Sequence, residues 1–364
     1  MSSEAFFYVG TYTNQTAMMV GKGKGIYLIG VHRSYDTIKL KCYREVGITD
    51  NPSYILCDRT GKYLFAVNEL YSNPPVEGLV TAFSIDPSIK SLSSTNHRSS
   101  CGQGPCYVSI DRTEAFLFVA NYSNGRIASY PIRDGTLGEV ISEIQHTGSG
   151  PHPHQDGPHT HSILVDPGNR FVYALDLGAD KIYIYRLNLM TGQLMKPEVN
   201  FVMTDPGDGP RHLAFHPNGQ IMYVVTELSS SIIAYRVDGE TGIPVQFQKV
   251  STLPDGHADV GYAADIHVHP SGRFLYASNR GHNSIAVYAI NAEGKLSVIE
   301  YVDTKGKIPR SFSLSDDGSM LLVANQNSNS IVLFLVDEET GRLIDLDMQV
   351  VVPTPTCIKS YPVH

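Results

Sequence analysis

Apolar and polar residues alternate along this chain in short runs, and the runs themselves recur. One phrase appears six times: PSYILCDRTGKYLFAVNE from Pro52, PCYVSIDRTEAFLFVANY from Pro105, THSILVDPGNRFVYALDL from Thr160, PRHLAFHPNGQIMYVVTE from Pro210, AADIHVHPSGRFLYASNR from Ala263 and PRSFSLSDDGSMLLVANQ from Pro309. Each reads as a strand, a tight turn and a second strand. In the fifth, Phe274, Tyr276 and Ser278 alternate with Leu275, Ala277 and Asn279, which suits a strand packed on both faces. DRTG, DPGN, HPNG, HPSG and SDDG carry Pro, Asn, Asp and Gly where tight turns need them. An apolar third strand follows (SNGRIASY, GADKIYIY, SSSIIAY, GHNSIAVY, SNSIVLF), then a fourth, often after a DxxTG-like turn near 190–192, 239–242 and 337–341. A sheet of four antiparallel strands has bare edges and two faces to cover, so each unit needs neighbours. An all-strand repeat spaced by 46 to 55 residues predicts a β-propeller.

The ends of the chain supply the blade count. FFYVGTY from Phe6 and GIYLIGVHR from Gly25 match the second and third strands of a unit whose first strand is missing, and TCIKSY from Thr356 matches a first strand. The two ends complete a seventh blade between them. The expected fold is all-β: one seven-bladed propeller covering residues 1–364, four antiparallel strands per blade, with the ring closed by both termini.

Composition narrows the function. A net charge of −8 leaves no basic footprint for nucleic acid. No apolar run reaches membrane-spanning length, and MSSEAFFYVG lacks the charged and apolar regions of a secretory leader. The five cysteines are scattered and odd in number, as reduced thiols in a cytoplasmic protein are. With no Trp, the WD-type signature is absent. A closed ring has no evident need of a partner, so a monomer is expected.

Aligning the repeats locates candidate chemistry. At the start of the first strand stand Ser53, Cys106, His161, Arg211, Ala264, Arg310 and, approximately, Cys357; just past the second strand stand Glu69, Tyr122, Leu177, Glu227, Arg280, Gln326 and Tyr12. Antiparallel pairing puts both columns at the same end of every blade, at one mouth of the central channel. Structural positions should look alike from unit to unit, and these do not. Arg211, Arg280 and Arg310 suit a carboxylate or phosphate. Glu227 and Glu69 are candidate bases, with Glu227 beside Arg211 kept ionised and so a base or an orienter. His161 is a candidate acid or base near neutral pH. The plainer alternative is that these residues only solvate a wet channel mouth.

HTGSGPHPHQDGPHTH, residues 146–161, holds five histidines. His159 and His161, two apart, could hold a divalent ion. The favoured expectation is a Gly/Pro-rich loop over the mouth, no metal, and His159 as a substrate contact. His216 and His269 share a turn position and are expected to hydrogen-bond the turn. GKGKG at 21–25 lacks the Ser/Thr and strand-to-helix context of a phosphate loop and reads as a turn.

VGTYT, GPHPHQDGPHTHS, the run DKIYIY, GPRHLAFHPNG, the run SNRGHNSIAVY and ANQNSNSI closely resemble the seven-bladed lactonase family, which includes propeller-type 6-phosphogluconolactonases and fungal carboxy-cis,cis-muconate cyclases. The likeness spans the chain. It implies a reactive His/Glu pair at His161 and Glu227, with Arg211 and Arg280 binding a substrate carboxylate. The expected activity is hydrolysis of an anionic sugar lactone without a cofactor, 6-phosphoglucono-1,5-lactone first, with Arg310, Glu69 and His159 as further substrate contacts. A muconate-type cyclase, a metal-dependent sugar lactonase and a non-catalytic binding platform are the alternatives.

Overall fold

The computed structural model describes residues 3–14, 20–34, 37–70, 72, 74–257 and 261–362. Their strands form seven antiparallel sheets. Blade 1 starts at the Pro52 repeat and blades 2 to 6 follow the other repeats in order. The innermost strands are Ile55–Cys57, Pro105–Ile110, Thr160–Val165, Pro210–Phe215, Tyr262–Val268, Pro309–Leu314 and, in blade 7, Pro355–Ser360. Each touches the next around a closed ring. The other strands of each blade meander outward in chain order. Blades 2 and 3 depart from the expected four: the outermost position is shared by two short strands, Thr136–Leu137 with Ser142–Gln145 and Leu194–Met195 with Phe201–Met203.

Ring closure is as the ends of the chain predict. Ser3–Thr11 pairs with Pro355–Ser360, setting Tyr8 opposite Lys359 and Val9 opposite Ile358. Ile26–Arg33 and Ile38–Gly47 complete blade 7. One detail is corrected. Gly10 faces Cys357 and Thr11 faces Pro355, so Thr356, not Cys357, occupies the first-column position of this blade.

The repeat's signature residues join one blade to the next. Tyr173, Tyr223 and Tyr276 sit at equivalent places on the second strands of blades 3, 4 and 5, fully buried. Their hydroxyls donate to the carbonyls of Gly242 (2.6 Å), Gly294 (2.8 Å) and Gly341 (2.9 Å), each in an outer turn of the following blade. The turn glycine is required twice over. Gly341 has φ +72, and a Cβ there would lie 2.4 Å from the Phe274 ring. His216 and His269 also bridge blades: Nε2 reaches Gly272 O (3.0 Å) and Gly318 O (3.2 Å), and Nδ1 accepts a turn N–H. That is the turn role expected of them.

A second set of contacts positions the mouth. Asn121, Asn279 and Asn325, each the last or near-last residue of a second strand, donate from Nδ2 to Ser100 O (2.9 Å), Thr252 O (2.6 Å) and Thr304 O (2.8 Å) in the loops leading into their own blades. The next residue in each case is Tyr122, Arg280 or Gln326. The recurring Asn therefore anchors the crossover and the mouth residue together. Tyr276→Phe would leave Gly341 O unpaired in the interior. It should lower the unfolding free energy by about 1–2 kcal/mol, and Gly341→Ala should cost more because strain adds to the clash. Urea denaturation of both variants measures this, and equal stability of Gly341→Ala and wild type would contradict the account.

Candidate active site at the channel mouth

On the inner strands of blades 2, 3, 4 and 6 one residue is inserted by a β-bulge: between Pro105 and Tyr107, Thr160 and Ser162, Pro210 and His212, and Pro309 and Ser311. The inserted residues are Cys106, His161, Arg211 and Arg310. Just past the second strands, the N–H groups of Glu69, Tyr122, Leu177, Glu227, Gln326 and Tyr12 bond the carbonyls of Asn51, Gly104, His159, Gly209, Ile308 and Thr354. Each acceptor lies two residues before the first-column residue. The two columns predicted from the repeats therefore do meet at one end of every blade.

Within this ring Glu227 is the hub. Arg211 Nη1 donates to Glu227 Oε2, and Arg280 Nη2 lies 2.9 Å from the same oxygen. Arg211 Nε also donates to Ala264 O (2.9 Å) in blade 5. Burial alone would raise the Glu227 carboxyl, but Arg280 and Arg211 outweigh it and bring it down to about 2. Burial brings Arg280 down to about 10, with Arg211 and Arg310 pushing the same way against the pull of Glu227. The Arg280 Nε is buried without a hydrogen-bond partner, and its guanidinium lies 5.9 Å from the Tyr262 ring centroid.

A second charged group stands across blades 6, 7 and 1. Arg310 lies over the Tyr12 ring (5.6 Å), and the Tyr12 hydroxyl donates to Glu69 Oε2 (2.9 Å). Burial works against the charge of Arg310, but Tyr12 and Glu69 more than offset it and hold the guanidinium firmly protonated.

His161 is 4% exposed. Burial, then Arg211, His212, Arg310 and Arg280, hold its imidazole well below the ordinary histidine range. It is neutral at pH 7, and its Nδ1 has no partner. Its ring meets Tyr122 edge-on at 5.5 Å. Burial raises the neighbouring Cys106 thiol, so Cys106 is no thiolate nucleophile.

His159 packs against Tyr122. Its ring stacks on Tyr122 (4.7 Å), Nδ1 lies 2.8 Å from Tyr122 O, and Nε2 lies 2.9 Å from Asp156. With both nitrogens engaged by the protein, its ring props Tyr122 at the mouth. Among the described residues no three His, Cys, Asp or Glu side chains are grouped to hold a metal ion. The histidine-rich loop does lean over the mouth: the ring of His154 comes within 5.8 Å of Tyr262 in blade 5. Lys24 of the GKGKG turn lies 3.8 Å from Glu45 on the exposed edge.

Directly beneath lies a layer that the two columns do not include. It consists of the next residue along the inner side of each blade: Tyr54, Tyr107, Ser162, His212, Asp265, Ser311 and, in blade 7, Cys357. Tyr54 and Tyr107 stack at 4.1 Å, Tyr107 meets His212 at 5.1 Å, and Tyr54 meets His212 at 5.9 Å. Tyr54 is in blade 1 and His212 in blade 4, so these rings fill the axis and floor the mouth. Lys359 Nζ donates to Tyr54 Oη (2.9 Å). The signal for this layer was the same column variation, one residue further on.

The family model described as "Lactonase, 7-bladed beta-propeller" matches residues 6–360. The chain is 38% identical to a 6-phosphogluconolactonase of Bacillus subtilis over 97% of both proteins, and 34% identical to a 6-phosphogluconolactonase of Formosa agariphila over 95% of this chain and 96% of that protein. The solved structure of a periplasmic gluconolactonase from Pseudomonas aeruginosa superposes with TM-score 0.90 at 32% identity, covering 98% of this chain and 99% of that one.

Acid should unfold the protein in two stages. Burial lowers His212 from 6.5 to about 4 despite the pull of Asp265. The unfolded chain therefore takes up this proton first, and stability falls as pH drops from 6.5 towards 4. Glu227, lowered from 4.5 to about 2, adds a second loss below pH 4.5. Urea unfolding across pH 7.5 to 3 should show both stages in the wild type. Glu227→Gln should shrink the lower stage, to which Asp265 also contributes, and a lower stage of unchanged size would contradict the ion-pair account.

Proposed function

The chain belongs to the seven-bladed β-propeller lactonase family, and we propose that it opens the ester ring of an anionic sugar lactone at this channel mouth, 6-phosphoglucono-1,5-lactone before others. It is a lactone hydrolase, within the carboxylic-ester hydrolases. The observation that carries the site assignment is the convergence of Arg211, Arg280 and Arg310 around a neutral His161 whose buried Nδ1 has no partner. The choice of a phosphorylated substrate draws on the relatives named 6-phosphogluconolactonase.

Hydrolysis needs a base for water and donors for the oxyanion of the tetrahedral intermediate. His161 is the base in this reading. Glu227, held ionised near 2, holds the guanidinium groups of Arg211 and Arg280 in place. The unpartnered Nε of Arg280 donates to the developing oxyanion. Arg310, with Glu69 and Tyr12 beside it, receives the substrate's anionic group. Burial, with Arg211 and Arg310 nearby, disfavours the charge of Arg280, so an anion entering the low-dielectric mouth beside it is favoured.

The test is a panel: 6-phosphoglucono-1,5-lactone, unphosphorylated glucono-1,5-lactone and a muconolactone, each measured above its spontaneous rate and with or without a chelator. The phosphorylated lactone should react fastest, unaffected by chelation. Arg310→Ala should raise its KM about 10- to 100-fold, the loss expected for one charge-assisted contact. The same variant should change the KM of glucono-1,5-lactone little. Equal effects on both substrates would remove Arg310 from the anion site, and faster turnover of the unphosphorylated lactone would overturn the choice of substrate. His161→Ala should lower kcat by about 100-fold or more, and a wild-type rate would dismiss His161 as base.

A further inference from the structure

Two nitrogens at the floor of the mouth stand out. His161 Nδ1 and His212 Nε2 are both buried, and neither has a hydrogen-bond partner. Their rings nevertheless meet edge-on, with centroids 5.1 Å apart. Buried polar atoms without partners are rare, and two on touching imidazoles ask for one explanation.

The state of His212 is fixed from its other side. Its Nδ1 lies 2.9 Å from Asp265 Oδ1. Asp265 is itself held by Ser311 Oγ (3.0 Å) and the N–H groups of Ile266 (3.1 Å) and Phe312 (3.3 Å). Burial would raise this carboxyl, but His267 and His212 outweigh it and keep it ionised. An ionised carboxylate only accepts, so His212 must carry its proton on Nδ1 and present a bare lone pair at Nε2. The group that answers a buried lone pair is an N–H, and the neighbouring unpaired nitrogen is Nδ1 of His161.

We propose that His212 and Asp265 are a positioning pair for His161: the Nδ1–H of His161 donates to Nε2 of His212, directly after a small ring rotation or through one water, and leaves Nε2 of His161 as the lone pair that receives the proton of the attacking water. The assignment rests on His161 being the base. The step balances. The water oxygen adds to the lactone carbonyl carbon while its proton passes to His161 Nε2. The ring C–O bond then breaks, and the departing oxygen takes that proton back. The Nδ1–H stays on His161 throughout. Arg211, Arg310 and Arg280 disfavour the transient imidazolium from above. Asp265, transmitted through His212, offsets them from below, as a carboxylate does behind a catalytic histidine. Tyr54 and Tyr107 wall this chain from the far end of the channel, and Lys359 and His267 are the other charged or titratable groups facing it.

Asp265→Asn and His212→Gln should each lower kcat at least about tenfold, with KM within about threefold of wild type. Asp265→Asn removes the charge supporting the imidazolium, so the acid limb of its pH–kcat profile should move to lower pH. Because the residues act as one unit, His161→Ala combined with Asp265→Asn should be no slower than His161→Ala alone. Multiplicative losses in the double variant, or single variants at the wild-type rate, would overturn the pair. A readout free of variants is ¹⁵N-histidine NMR of the wild type at pH 7. Nδ1–H tautomers at both His161 and His212 are expected, and an Nε2–H tautomer at either would overturn the proposal. A wild-type rate in His161→Ala would instead dismiss the assignment of the base, whatever the NMR shows.

Discussion

The bulge at the mouth end of the inner strands is the constraint on which the site depends. A regular strand sends alternate side chains to opposite faces, so only one residue in each adjacent pair would reach the axis. One inserted residue breaks the alternation and turns the strand. Arg211 and His212 are consecutive, yet Arg211 meets Glu227 while His212 meets Tyr54 across the axis. Repeated around the ring, this stacks a charged layer on an aromatic and imidazole floor. The backbone before the bulge is left-handed at Gly104, Gly209, Ile308 and Thr354. For the β-branched Ile308 and Thr354 that is a strained conformation. It is held by Asn283 Oδ1 on the Ile308 N–H (2.8 Å) and Asn329 Oδ1 on the Thr354 N–H (2.9 Å).

The electrostatics follow from crowding these charges in a buried ring. Glu227 links two guanidinium groups through one oxygen, and that link keeps Arg211 close enough to add to burial in disfavouring the charge of Arg280. Burial first, and then the same field, keeps His161 neutral. A ring that is short of negative charge and lined by a neutral imidazole suits an anionic ester: the anion relieves the arginines, and the imidazole is free to take a proton.

The fold was legible because each repeat must bury the same faces. The strand period, the turn residues and the split seventh blade all follow from that need, and the Asn in VANY, SNRG and VANQ is explained by its bond to the crossover. The mouth residues were legible for the opposite reason: Arg211, Glu227 and Arg280 differ where a purely structural position would repeat. Other features were harder to read. The slip from Cys357 to Thr356 comes from a bulge, which the alternation of residue types does not reveal. The engagement of His159 with Tyr122 and Asp156 is a matter of tertiary packing that its motif does not show. The His212–Asp265 layer was hidden because its members sit where a strand reading expects ordinary alternation. Only the pairing of blades 4 and 5 brings them together.

A crystal structure with 6-phosphogluconate, the product of the proposed reaction, bears most directly on the central claim. The product should lie in the bulge-lined mouth, its carboxylate between His161 and Arg280 and its phosphate on Arg310. A product bound on the outer face of a blade, or in the mouth with its carboxylate turned away from His161, would contradict the account.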